Sequence, residues 1–245
     1  GTGNHQFNNP LDVAVDAAGN LYVADYWNMR VQQFDAGRNY VRTYGSTGVP
    51  YLTDSAHYFR PNDVAVAADG SIYLTEGLGH RLVKLNANGV VQWAMGRAGV
   101  NGGWNGENDL LAYPDGLAMA ADGRVFVADS WNHRIQVFSA AGTYLRTLGV
   151  AGEPGADVNH FNYPTGLGFG PDGRLYVADK DNHRVQIFDA NLNFVASLGV
   201  AGQTGQDNGH FNQPSDVLVT ANGAIYVADR ANHRVQVFNA NLNYV

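Results

Sequence analysis

Five acid–arginine pairs, each five residues apart, are the first groups in this sequence whose type and spacing could do chemistry. They are Asp25/Arg30, Glu76/Arg81, Asp129/Arg134, Asp179/Arg184 and Asp229/Arg234. One such pair could act as an acid beside an anion clamp. Five copies point instead to a charge-assisted hydrogen bond that fixes a connection or joins neighbouring units. Histidines form two further sets. His80, His133, His183 and His233 directly precede the paired arginines, with Met29 in the remaining place. His5, His57, His160 and His210 stand beside Phe7, Phe59, Phe161 and Phe211. Metal ligands must converge on one point, and one copy per unit does not converge. The first set therefore reads as packing or turn residues. The second reads as a loop-fixing device, with a zinc or iron site from two of its members as the alternative.

A second group of acids is Asp12, Asp63 and Asp216, two residues after a proline, with Asp115 one residue after another. An oxygen-rich ring at these strand starts could hold Ca²⁺ or another divalent cation. The competing reading is a capped strand start, the carboxylate bonding nearby backbone amides. No obligatory cofactor is expected. The copies disagree most at the two residues after each paired acid: Tyr26-Trp27, Gly77-Leu78, Ser130-Trp131, Lys180-Asp181 and Arg230-Ala231. Aromatic side chains beside cations suit contact with a partner. Tyr26, Trp27, Trp131, Lys180 and Arg230, with Trp104 and Tyr51 from the linkers, are the candidate contacts. The competing reading has the tryptophans covering seams between units.

The elements that position these groups repeat with them. The paired acid recurs at intervals of 51, 53, 50 and 50 residues, and Pro10, Pro61, Pro114, Pro164 and Pro214 keep step. A period near fifty marks a repeat architecture in which one unit cannot bury its own apolar faces. Within a unit, short β-branched runs alternate with Gly- and Asn/Asp-rich turns, as in Gly170-Pro-Asp-Gly173 before Leu175-Tyr-Val-Ala-Asp179. Four strands of about five residues joined by hairpins form an antiparallel meander. No sustained helical period occurs. Runs such as Ile225-Tyr-Val-Ala lack polar alternation, which suits a sheet covered on both faces. Radially stacked blades satisfy that requirement. The expectation is an all-β, four-stranded-blade β-propeller with repeats at approximately 8–45, 59–97, 112–149, 162–199 and 212–245, forming a single domain over 1–245. Each unit is nearly complete, so either five blades close by face packing or the chain is part of a six-bladed ring.

The chain has 245 residues, 45% of them hydrophobic, no cysteine and a net charge of −7. Disulfides and Cys-based zinc sites are thereby excluded. The acidic balance argues against a broad nucleic-acid footprint. No apolar run is long enough to span a bilayer, and no signal peptide is visible. The sequence names no compartment, but leans to a secreted, periplasmic or cell-surface one.

The string Pro-x-Asp/Gly-Val/Leu, then Tyr-Val-Ala-Asp, then Asn-His-Arg-Val-Gln-Val-Phe resembles the NHL-repeat β-propellers across all five units. The linkers Pro154–Phe161 and Thr204–Phe211 are also similar to a linker of the peptide-amidating lyases. That resemblance implies a metal held by histidines directly after the repeat proline. Leu11, Asn62, Asp115, Thr165 and Ser215 occupy those places. The scaffold is therefore shared without its ligand histidines. The functional expectation is a non-enzymatic platform that engages a peptide or protein on its variable-loop face. A metal-dependent lyase or hydrolase is the first alternative, and the RNA binding known for some NHL propellers is the second.

Overall fold

The computed structural model describes residues 1–49, 57–97, 101, 107–108 and 110–245. Tyr51 and Trp104 lie outside them. Five antiparallel sheets follow one another along the chain, the blades of a β-propeller. Blade 4 shows the plan: Pro164–Phe169, Leu175–Asp179, Arg184–Phe188 and Phe194–Leu198, hydrogen-bonded in chain order. Blades 1, 2 and 3 repeat it from Pro10, Pro61 and Pro114. Blade 5 has three strands, Pro214–Val219, Ile225–Asp229 and Arg234–Phe238, and an isolated Phe238–Tyr244 bridge where the fourth would start. The Gly-rich hairpins work as their composition implies. Gly173, at φ 79°, closes the first hairpin of blade 4 in a conformation that costs glycine nothing.

The chain forms two compact units. One comprises blades 1 and 2 with Glu107–Leu117 and Ala140–Thr143; the other holds most of blade 3 with blades 4 and 5. In the first unit, Tyr22, Ala24, Val31 and Tyr44 of blade 1 pack on Tyr58, Val64, Ile72, Leu74, Val83 and Leu85. In the second, Leu175 and Val177 of blade 4 face blade 3, while Tyr176, Val185 and Ile187 face blade 5. Successive residues of a strand point to opposite faces. A strand sandwiched between two sheets must therefore be apolar at every position, which is why Leu-Tyr-Val-Ala shows no alternation. One face of blade 5 is not covered in this way: Val235 is 61% exposed, whereas Val185, its counterpart in blade 4, is fully buried.

Candidate functional site

Between the second and third strands the chain makes a three-residue 3-10 turn: Tyr26–Asn28, Ser130–Asn132, Lys180–Asn182 and Arg230–Asn232. Each ends on a left-handed residue, Met29, His133, His183 or His233, with φ between 55° and 58°. That cap reverses the chain into the third strand. In blade 2, His80 takes the same conformation.

The paired acid organises everything beneath the turn. In blade 4, Asp179 Oδ2 accepts from Asn182 Nδ2 at 2.8 Å, Arg184 Nε at 2.8 Å and Gln186 Nε2 at 3.3 Å. Its Oδ1 accepts from Asn162 N at 2.7 Å. Arg184 then spends its remaining donors on the linker carbonyls of Ala156, Asp157 and His160. Burial pushes the Asp179 carboxyl up, and the Asn162, Asn182 and Arg184 donors pull it back. Asp25, Asp129 and Asp229 lie equally deep, with Arg30, Arg134 and Arg234 at 2.7–2.8 Å. Glu76 meets Arg81 at 2.9 Å. The pairs thus staple each linker to its blade. Sequence reasoning gave no role to Asn28, Asn132, Asn182 and Asn232, or to Gln32, Gln136, Gln186 and Gln236. The signal was there, since they recur three and seven residues after the acid.

The histidines divide as two kinds of fastener. Nδ1 of His80, His133 and His183 accepts the backbone N–H of Tyr113, Tyr163 and Gln213 at 3.0–3.1 Å. Each acceptor contact reaches the residue before the next blade's opening proline. His133 is therefore neutral at Nδ1, and burial lowers its pKa against the pull of Asp181 and Asp129. In the linkers, His160 and His210 pair with Asp157 and Asp207 at 2.8 Å, holding those exposed carboxyls below their ordinary range. The neighbouring Phe161 and Phe211 are buried against Phe188 and Phe238.

The acids after the prolines lace inner strands. Asp12 Oδ2 accepts from Val64 N at 3.0 Å and Asp63 Oδ2 from Leu117 N at 2.8 Å, so the amide belongs to the next blade. Asp216 Oδ1 accepts from Val217 N at 2.8 Å, and Asp115 Oδ1 from Asn62 Nδ2 at 3.3 Å. Gly166 fills the corresponding place in blade 4, where a Cβ would collide with the Asp216 carboxylate. Among the described residues, no three His, Asp or Glu side chains stand together as a metal-binding group.

The turn tips carry the variable chemistry. In the first unit, Trp27 is 44% exposed and meets buried Tyr26 edge-on at 5.4 Å. The Arg60 guanidinium lies 4.0 Å from the centre of the Trp27 ring, and the Tyr26 hydroxyl meets that of Tyr113 at 3.1 Å. In the second unit, Trp131 is 36% exposed, Lys180 Nζ lies 5.8 Å from the Tyr163 ring, and Arg230 is exposed. Two shallow depressions, lined by 146–150 with Phe188 and Phe194 and by 41–46 with Tyr58, hold none of these tip residues.

The NHL repeat model matches residues 7–34, 111–138, 161–188 and 211–238. With the blades and their Asp-Asn-His-Arg-Gln network, this places the chain in the NHL-repeat family of β-propellers. The chain is 32% identical over 134 residues to the probable peptidyl-alpha-hydroxyglycine alpha-amidating lyase pgal-1 of Caenorhabditis elegans, covering 54% of this chain and 37% of that relative. It therefore spans little more than a third of the relative's length. Two solved structures share the fold at low identity. A streptogramin B lyase matches with TM-score 0.70 and 14% identity, over 96% of this chain and 67% of that one. A chain of a nidogen/laminin complex matches with TM-score 0.69 and 18% identity, over 96% and 78%.

Proposed function

We propose that this protein is a non-enzymatic platform for a peptide or protein partner, engaged through the tips of the 3-10 turns. One observation carries the reading: the acid–arginine network recurs beneath turns whose first two residues form a different pair in every blade. The framework acids, arginines and the blade-to-blade histidines are occupied by internal hydrogen bonds. Exposed indoles and cations are what the turns offer outward. Large rigid aromatics next to charge are efficient contact anchors because little side-chain entropy is lost on binding.

Panning a random-peptide phage library against the purified protein tests this. Enriched peptides are expected to bind saturably and to weaken at least about tenfold, roughly 1.4 kcal/mol, in Trp27→Ala or Trp131→Ala protein. Binding unchanged in both folded variants would remove the proposal. The name of the worm relative supports a competing lyase or hydrolase reading. Stoichiometric zinc, iron or calcium by elemental analysis would favour it, with Asp12, Asp63, Asp115 and Asp216 as the first residues to substitute. RNA affinity falling steeply with salt would favour a nucleic-acid reading instead.

A further inference from the structure

The junction between blades 1 and 2 departs from the later ones at two positions. Where His80, His133 and His183 accept a backbone N–H, it has Met29, and the residue before the next proline is Arg60. Arg60 lies 4.0 Å from the Trp27 ring centre, 5.4 Å from Tyr26 and 5.6 Å from Phe59. Among the described residues, its guanidinium has neither a hydrogen-bond acceptor nor a carboxylate partner. Its Nε is enclosed with nothing to donate to. The framework arginines behave otherwise: Arg30 donates to Asp25, Thr2, Thr47, Gly3 and Gln6. An enclosed donor without an acceptor is costly, so internal hydrogen bonding does not account for the placement of Arg60.

The surroundings prepare this guanidinium for a ligand. The guanidinium carbon lies over the Trp27 ring at 4.0 Å, a cation–π contact, and because Arg60 is only part-buried the fork of its terminal N–H groups remains for a ligand although Nε is enclosed. Such a fork matches the two oxygens of a carboxylate. A net charge of −7 disfavours a polyanion more than a single carboxylate. We propose that Arg60, stacked on Trp27, binds a carboxylate carried by a peptide. This deepens the platform reading and rests on it.

The test follows the Arg60 Nε–H and Trp27 indole N–H signals by ¹⁵N NMR during titration with three acetylated tripeptides. Acetyl-Ala-Glu-Ala-amide offers a side-chain carboxylate, acetyl-Ala-Ala-Ala a terminal one, and acetyl-Ala-Gln-Ala-amide none. Saturable shifts with at least one acidic peptide are expected, absent with the Gln peptide and at least about tenfold weaker in Arg60→Gln. Arg60→Lys, which keeps the charge and loses the fork, is expected to fall between. A response to the Gln peptide matching that to the acidic peptides, no response to either acid, or undiminished binding by folded Arg60→Gln overturns the assignment. Should Arg60→Gln bind normally while Trp27→Ala or Trp131→Ala does not, the platform stands and the carboxylate site falls.

Discussion

Blades 2 and 4 hold their linkers with the same kind of ion pair, built to different depths of redundancy. In blade 4 a short Asp179 shares its load among Asn182, Arg184, Gln186 and the Asn162 amide. In blade 2 a longer Glu76 reaches Arg81 with both oxygens, and Gly79 stands where the other blades have Asn. Side chains collide if that Asn is restored alone, since a Cβ at 79 would run into the Glu76 carboxylate. Burial pushes Glu76 up to about 7 despite Arg81 and the Phe59 amide. Arg81 reaches one described linker carbonyl, His57, against three for Arg184. Blade 2 also falls outside the residues matched by the repeat model. Burial raises both carboxyls, and more donors oppose that rise at Asp179 than the Arg81 side chain and the Phe59 amide supply at Glu76.

Arg184→Ala should produce the largest loss. It removes the cation from a fully buried acid and three donors from the linker, a change worth roughly 3–5 kcal/mol by urea denaturation. Arg81→Ala measured at pH 6, where Glu76 can take a proton, should cost less; an equal cost would erase the contrast between the two blades.

Glu76 supplies a pH effect of known sign. Its folded pKa of about 7 lies above the unfolded value near 4.5, so the native state holds the proton more tightly. The associated stability is complete below about pH 4.5 and is lost as pH rises through about 7, a span of about 3 kcal/mol at most. Glu76→Gln, or Glu76→Asp combined with Gly79→Asn, should flatten stability against pH across that window. A slope unchanged in both variants would show that another group titrates.

A smaller effect is expected at the junctions. His133→Met copies what Met29 already does in blade 1 and strands the Tyr163 N–H, at about 1–3 kcal/mol. Hydrogen exchange at Tyr163 should quicken; protection equal to that of the parent protein would mean another acceptor takes over.

The strands and acid–arginine pairs were legible in the sequence because periodicity fixes both position and partner. The histidines were half legible. Their repetition argued against a ligand set, but their acceptor role depends on a left-handed backbone that carries Nδ1 to the next blade. The Asn and Gln members were written plainly at fixed offsets and went unread, since neutral amides advertise no chemistry. Arg60 was the least visible, because its contact with Trp27 joins loops 33 residues apart. Met29 in a histidine's place was the one local clue.

The separation of framework from turn tips can be measured in a single variant, Trp27→Ala/Trp131→Ala, followed by thermal unfolding and by titration with an enriched or acidic peptide. Affinity at least about tenfold lower, with a melting temperature within a few degrees of the parent protein, is the expected pair of results. Peptide affinity retained in full, or a fold lost along with the indoles, would contradict the division.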